Sequence, residues 1–257
     1  MRSFYELRPE HIMESREKCG IAFVPVGPLE WHSYHLPFGT DAMIAEGIAK
    51  LVAEKIGGIY FPPLLLGTDQ TRTAEQLDAW GFDKSEDIFG MNFPQLPLKS
   101  EYCSPEELAI AVTRRLKFIR DNKFKAAFVI DHHGGNPDYP ELEQKEIIKN
   151  VCKKFNSPDF KVEFTDAFRF CTLKGTHIVP DHATLSETTF LLAFRPELIF
   201  LNRIPEGELI PAKMGMVTGR AVITVNENPR NALKVLADEF RENVINNFVN
   251  YIKENYL

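Results

Sequence analysis

Short apolar runs alternate with longer amphipathic stretches along most of the chain. The runs 20–26 and 125–130 are apolar and contain β-branched residues, and each ends at a turn-forming or polar segment. Both therefore predict buried strands that lead into loops. Apolar residues at helical spacing predict helices over 41–55, 104–122, 140–155 and 231–255. This alternation predicts one α/β domain over residues 1–257.

Some boundaries have clearer signals than others. Residues 104–107 have the Ser, Pro and Glu order that is typical of a capped helix start. Thr184 or Ser186 could cap a further helix. The run 220–225 has the composition of a strand, and the helix predicted after it has an apolar face that we interpret as core or subunit contact.

Carboxylates and imidazoles are concentrated in the loop predicted after the first strand. Residues 27–41 include Glu30, His32, His35 and Asp41. In open parallel sheets, ligands and catalytic groups collect beyond the carboxyl ends of the strands. Mixed carboxylate and imidazole ligands suit Zn, Mn or Fe(II). For this segment alone, an ordinary loop with solvated polar residues is the alternative.

Two other segments have the same composition. One directly follows the second predicted strand and includes a Gly pair, whose backbone can approach an ion closely. The other precedes an apolar run. The histidines and acidic residues of these segments are Asp131, His132, His133, Asp181, His182 and Glu187. Five of the seven histidines thus lie beside carboxylates in three short segments, which favours a metal site over surface decoration.

Composition excludes several other classes of protein. The net charge of −6 gives no support to nucleic-acid binding, for which a basic face is expected. The four cysteines lack Cys-x-x-Cys spacing, which is typical of reduced thiols in a cytoplasmic protein. The amino terminus lacks the apolar core of a signal peptide, and no apolar run is long enough to cross a membrane. We therefore expect a cytoplasmic protein that binds neither nucleic acid nor membrane.

The three polar segments also resemble motifs of the creatininase (creatinine amidohydrolase) family. Residues 30–41, EWHSYHLPFGTD, are similar to the family signature Glu-Gln-His-Gly-x-His-Leu-Pro-x-x-Thr-Asp. Residues 133–136 resemble its His-Gly-Gly-Asn segment, and residues 181–189 resemble its Asp-x-His-Ala-Gly…Glu-Thr-Ser segment. The motifs occur in family order. The resemblance implies a three-layer α/β/α fold with a mostly parallel central sheet, a metal-dependent hydrolase, a centre of two divalent ions (Zn, Mn or Fe) and a homohexamer.

The resemblance also implies roles for individual residues. By position, Glu30 and His32 would each bind one metal ion, Asp41 would bridge the two ions, and His133 would complete the first site. His182 resembles the family histidine that transfers protons during cleavage of the substrate ring.

The chain departs from the family pattern at the second metal. Creatininase has a glutamate ligand of the second metal where this chain has Gly135. Glu187 is the nearest substitute, and we include it among the predicted metal ligands.

Other departures concern the substrate. Trp31 replaces the usual Gln and could form a pocket wall or simply pack, and Tyr34 adds a phenol between the two histidines of the first motif. His132 could be held by Asp131 beside the metal ligands, or be a capped turn residue. His35 either anchors its loop by hydrogen bonding or binds metal.

Residues 67–105 are the least family-like part of the chain, with no sustained strand or helix period. Long loops of this kind are usually lids or binding loops. Arg72 could meet an anionic or carbonyl-bearing substrate there, and Trp80 could cover it. A subunit contact in an oligomer is the alternative, so we predict a lid or contact excursion at about 67–105.

The ligand set predicts hydrolysis by metal-activated water that attacks a carbonyl. The resemblance to the creatininase family implies that this carbonyl belongs to a small cyclic amide or a related C–N bond. His182 would pass a proton to the leaving atom. One alternative is a ring-opening hydrolase that breaks a carbon–carbon bond in a cyclic diketo polyol. The other alternative is a metal-binding scaffold without catalysis, which the absence of a carboxylate at Gly135 would favour.

Overall fold

A parallel sheet of four strands forms the middle of the structure, in the order β2–β1–β3–β4. The computed structural model describes residues 2–134, 143–175, 177–218 and 222–257. The strands are β1 (Ile21–Val26), β2 (Ile59–Tyr60), β3 (Ala126–Asp131) and β4 (Lys161–Thr165). The helices are α1 (Pro9–Lys18), α2 (Thr40–Ile56), α3 (Ala74–Trp80), α4 (Pro105–Asp121), α5 (Glu143–Phe155), α6 (Leu185–Phe194), α7 (Pro211–Met214) and α8 (Lys234–Asn255).

Alternation of side chains along the strands divides the core into two layers. In β1, Ile21 and Phe23 pack in one apolar cluster with residues of α2, α6 and α8. Ala22 and Val24 pack on the opposite face with residues of α4 and α5. Both faces of the central strands are therefore covered, which explains why those strands have no polar alternation. The result is the predicted three-layer α/β/α arrangement.

The four predicted helices are present, with small shifts at their ends. The predicted capping box of α4 is formed, since Ser104 accepts from the backbone of Glu107 and Glu107 accepts from the backbone of Ser104. The predicted start of α5 falls on residues 140–142, which lie outside the described residues. None of the described helices has the length and apolar composition that a membrane span requires.

The strand predicted over 220–225 is wrong in its described part. Residues 222–224 form no strand, and Val225–Glu227 is a short 3-10 helix. Its start is capped by Thr224, which exchanges hydrogen bonds with Glu227. Ile223 is buried, but Val222 and Val225 are exposed, so the described part of the run lacks the repeated buried positions of a strand.

Residues 67–105 are mostly irregular but contain the short helix α3, which the weak periodicity did not predict. Thr73 and Gln76 form a capping box at its start. The segment has a small apolar cluster of its own, with members from outside it such as Trp31 and Val217. The part of the chain predicted to be a lid or a contact loop is thus held by packing, and its role stays a prediction.

Gly27 allows the end of β1 to approach the start of α2. A Cβ atom at residue 27 would lie 2.6 Å from the backbone nitrogen of Ala42 and 2.9 Å from Cβ of Asp41. Real Cβ atoms do not tolerate such distances, so only Gly permits this contact. Through it, Asp41 at the first turn of α2 is brought next to the carboxyl end of the central strand.

We expect Gly27→Ala to displace the start of α2, because the new methyl group meets backbone and not a flexible side chain. Overpacking of this kind costs about 1–3 kcal/mol of unfolding free energy. Denaturant titration measures that loss, and a crystal structure of the variant shows the movement of Asp41.

Gly39→Ala, in the same loop, is the control. A Cβ atom at residue 39 would lie 3.4 Å from the flexible end of Met43, so only a helix-capping cost of about 1 kcal/mol or less is expected. If Gly27→Ala were no more destabilising than Gly39→Ala, the close approach would not constrain Asp41.

Candidate active site

Polar segments meet where the two central strands end. Val26, the last residue of β1, pairs with Asp131, the last residue of β3. The loops that leave these strands carry the first two polar segments of the sequence. The third segment precedes and opens α6, which packs against α2. The structure therefore gathers all three at one edge of the sheet, as expected for an open parallel sheet.

His32 is fully buried and oriented by its own loop. Its Nδ1 lies 2.9 Å from the carbonyl oxygen of Glu30. Since a carbonyl can only accept, Nδ1 donates its proton there. Its other nitrogen, Nε2, lies 3.5 Å from Oδ2 of Asp41 and 3.4 Å from Oε2 of Glu187.

His133 repeats this arrangement from the neighbouring strand. Its Nε2 donates to the carbonyl oxygen of Thr68 at 3.1 Å. Its Nδ1 lies 3.3 Å from Oε2 of Glu30 and 3.5 Å from Oδ2 of Asp41. Asp41 thus lies between the two imidazoles, with the same oxygen at 3.5 Å from each.

His182 is the third imidazole, and it also donates its outer nitrogen to the backbone. Its Nε2 lies 2.7 Å from the carbonyl oxygen of Trp31. Its Nδ1 faces inwards, 3.7 Å from Oε2 of Glu30 and 4.0 Å from Oε2 of Glu187. Donation of one ring nitrogen to a carbonyl, with the other nitrogen facing inwards, is how metal-site histidines are usually oriented.

The start of α6 places Glu187 at the site. Thr184 occupies the N-cap position, but its side chain makes no capping hydrogen bond. Instead, the Asp181 carboxylate accepts hydrogen bonds from the backbone nitrogens of Ser186 and Glu187, at 2.8 and 2.9 Å. Ala183 takes a left-handed backbone, and its nitrogen donates to Glu187 at 2.6 Å.

The carboxylates determine the protonation of the histidines. Although burial opposes protonation, Glu187, Asp41 and Glu30 raise the pKa of His32 to about 10. The pKa of His133 is raised in the same way, by Glu30 and Asp41. The cluster therefore favours positive charge between its carboxylates.

His182 and Glu187 are shifted in the direction that burial dictates. Burial, together with nearby His32, lowers the pKa of His182 to about 4. Burial raises the pKa of Glu187 to about 7. At neutral pH the imidazole of His182 is thus a neutral base.

Two unpaired atoms test whether a metal ion fits the cluster. His32 Nε2 and Asp41 Oδ2 are buried without a hydrogen-bond partner among the described residues. Buried polar atoms normally have partners, and the two atoms face each other at 3.5 Å. Three groups of three described residues could each hold an ion: His32, Asp41 and Glu187; Glu30, Asp69 and His133; and Glu30, His32 and His182. The first two share no residue, so both could be filled at once. This donor set fits a divalent cation.

The cavity beside this cluster has a volume of about 120 Å³. This volume suits a small-molecule ligand. Arg72, Trp80 and His132, three of the predicted substrate contacts, line it. Arg72 donates to Asp69 at 2.7 Å and lies over the Trp80 ring at 5.3 Å.

Trp31 and Tyr34, the other two predicted substrate contacts, are not among the described residues that line the cavity. The Trp31 indole nitrogen donates to the carbonyl of Met214 at 2.8 Å, and the ring packs in the apolar cluster of the 67–105 segment. Tyr34 is 45% exposed and packs edge-on against Trp31. We therefore omit both side chains from the proposed substrate contacts.

The remaining polar residues of the motifs have structural partners or lie outside the description. His35 hydrogen bonds to Thr188 of α6 at 3.0 Å, which anchors its loop. The ring of His132 stacks on Phe168, and Asp131 does not hold it. Gly135 lies outside the described residues.

Sequence reasoning missed Tyr102, which donates a hydrogen bond to Glu30 from the end of the 67–105 segment. It accepts from the backbone of Met91 at 2.9 Å. Burial and nearby carboxylates raise the pKa of Tyr102 well above its usual value. A lone Tyr outside the motifs has no local signal, since only the fold brings it to Glu30.

Comparisons with known proteins identify relatives of this chain. A sequence model of the creatininase family, described as creatinine amidohydrolase, matches residues 6–83, which include the first motif. Creatinine amidohydrolase of Pseudomonas putida is 24% identical over an alignment of 207 residues, and the match covers 74% of this chain and 71% of that protein.

Solved structures show the same relationship. Creatininase in a Mn form is 19% identical with a TM-score of 0.68, over 99% of this chain and 98% of that one. A mutant creatininase of the Zn–Zn type is 18% identical with a TM-score of 0.68, over 99% and 98%. The solved structures confirm the predicted fold class, and the two sequence matches confirm the resemblance to the creatininase family and the prediction of a hydrolase.

We expect Zn²⁺ or Mn²⁺ to raise the thermal midpoint of the protein and Asp41→Asn to abolish that rise, because Asp41 faces both inner histidine nitrogens. Metal at about 100 times its Kd adds about 2.7 kcal/mol to a protein that binds it only when folded. Thermal unfolding with and without metal measures the effect. Glu163→Gln is the control, since this carboxylate accepts hydrogen bonds from Tyr251 and Tyr256 and is not part of the cluster. An unchanged rise in Asp41→Asn would show that Asp41 is not a ligand.

Proposed function

We propose that this protein, a member of the creatininase family, is a metal-dependent amidohydrolase that cleaves a carbon–nitrogen bond of a small cyclic amide. The observation that carries the proposal is the pair of imidazoles that donate their outer nitrogens to backbone carbonyls and face buried carboxylates with the other nitrogens. Among the described residues, His32 Nε2 and Asp41 Oδ2 have no hydrogen-bond partner, which is the arrangement expected where a cation binds.

Two ions per chain agree best with the two donor groups that share no residue. We assign Glu30 and His133 to one ion and His32 and Glu187 to the other, with Asp41 between them. Glu187 then takes the place of the carboxylate that Gly135 does not provide. The Mn and Zn–Zn forms of creatininase support these two metals for the site.

Divalent ions bound here would polarise a substrate carbonyl and lower the pKa of water towards neutrality. We assign proton transfer to His182. It is neutral at pH 7, its Nδ1 faces the carboxylates, and its Nε2 is held by Trp31. It can accept a proton from the attacking water at Nδ1 and return it to the leaving nitrogen.

The residues that line the cavity suit a small amide whose polar groups lie on one side. Arg72 supplies donors, while its charge is balanced by Asp69, so the wall suits a carbonyl better than a free carboxylate. Trp80 and Phe190 supply flat apolar surface. The comparisons do not favour a carbon–carbon hydrolase acting on a cyclic polyol. A metal-binding scaffold without catalysis would account for the oriented imidazoles but not for the cavity beside them, which Arg72, Trp80 and His182 line.

We also propose that the protein is a homohexamer and that it is located in the cytoplasm. All four cysteines are free. Free thiols agree with a reducing compartment.

We expect protein purified without added metal to contain close to two equivalents of Zn, Mn or Fe per chain, because two donor groups are present. Elemental mass spectrometry measures the metal, and a panel of cyclic amides and cyclic ketones tests turnover. Hydrolysis of amides alone would support the proposed bond. Absence of metal, and of activity after adding Zn, Mn or Fe(II), would overturn the catalytic proposal.

We expect His182→Ala to keep its metal and to lose activity by about 10²- to 10⁴-fold, the usual contribution of a general acid–base group. Metal analysis and steady-state kinetics measure the two effects separately. His182→Gln is the matched variant, since its amide can still donate to the Trp31 carbonyl but cannot shuttle a proton. Equal loss in both variants would identify proton transfer, whereas recovery in His182→Gln would identify a merely structural role.

A further inference from the structure

A closed ring of hydrogen bonds includes His133 and binds the ring nitrogen that does not face Glu30 and Asp41. The His133 Nε2 donates to the Thr68 carbonyl at 3.1 Å, and the Thr68 nitrogen donates to Oε1 of Gln144 at 2.7 Å. The Gln144 Nε2 then donates to Oδ1 of Asp131 at 2.9 Å. The same Asp131 oxygen accepts from the His133 backbone nitrogen at 3.1 Å, which closes the ring.

Every member of this ring is buried. Gln144 and Asp131 have no exposed surface, and Thr68 is 1% exposed. Without water to replace a lost partner, each hydrogen bond is costly to break. The ring therefore holds the imidazole plane of His133 and keeps its proton on Nε2, so that Nδ1 faces Glu30 at 3.3 Å.

The Gln144 side chain joins three parts of the fold. It lies in the first turn of α5 and reaches both the loop after β2 and the end of β3. Its amide supplies an acceptor to Thr68 and a donor to Asp131, a combination that a carboxylate or an apolar side chain lacks. Gly67 makes room for it, because a Cβ atom there would lie 2.9 Å from Oε1 of Gln144.

We propose that Gln144 is a positioning residue that fixes the ring orientation and tautomer of His133, and through it the affinity of the site for metal. The metal part of this inference rests on the proposed function, whereas the orientation of His133 does not. No motif of the sequence includes Gln144, because its partners come from distant segments.

Gln144→Leu is the test, since it removes both hydrogen bonds and keeps a similar volume. Loss of a group that orients a metal ligand lowers metal affinity by about 10- to 100-fold. We expect a fall of that size in Zn²⁺ affinity, measured by competition with a chromophoric chelator. We also expect faster exchange of the His133 Nε2 proton, measured by ¹⁵N NMR with and without Zn²⁺. Gln144→Glu, which keeps the acceptor for Thr68 but loses the donor to Asp131, is the second variant if Gln144→Leu does not fold.

A control separates positioning from general destabilisation. Asn156 lies just beyond the end of α5 and exchanges two hydrogen bonds with the backbone of Val162 in β4. Asn156→Leu removes this comparable pair. It should leave Zn²⁺ affinity unchanged.

Wild-type affinity and slow exchange in the folded Gln144 variants would overturn the inference. An equal loss of affinity in Asn156→Leu would overturn it too, since the effect would then be general. If the wild-type protein binds no Zn²⁺, the metal centre of the proposed function fails, and proton exchange alone decides whether Gln144 positions His133.

Discussion

The burial of three carboxylates in one cluster is the constraint on which the site depends. Glu30, Asp41 and Glu187 are almost completely removed from solvent. Buried like charges are costly unless positive charge lies among them. His32 and His133 supply this positive charge, since the carboxylates raise their pKa values although burial alone would lower them. Either protons on these rings or metal ions between them can balance the charge of the carboxylates. A metal-dependent hydrolase uses the metal ions.

The parallel sheet makes that cluster possible. The register of β1 and β3 puts their last residues side by side, so the loops that follow start next to each other. Gly27 then lets α2 begin directly against the end of β1, which delivers Asp41 to the space between the loops. The apolar cores on both faces of the sheet hold these strand ends rigidly. Side chains from distant motifs can therefore be placed within 3.5 Å of one another.

Backbone carbonyls orient the three imidazoles. Glu30, Thr68 and Trp31 each accept a ring proton, so each ring has one fixed nitrogen and one that faces inwards. These acceptors belong to loops, and the loops are held in turn by packing and by buried side chains such as Gln144. The irregular segment over 67–105 contributes to the same end, because it supplies both the cavity wall and the hydroxyl group that binds Glu30.

The sequence by itself determined what is local or repeated. Buried strands without polar alternation, helices with one apolar face, and motif residues beside strand ends can all be recognised from neighbouring positions, so the fold class and the residues that gather at the cluster could be predicted. Only the tertiary structure decided what depends on distant partners. It packed Trp31 in the apolar cluster of the 67–105 segment, and it brought Tyr102 to Glu30 and Gln144 to Thr68 and Asp131. Hydrogen bonds between such distant residues leave no pattern along the chain, since each partner is chosen by the fold and not by its neighbours in sequence.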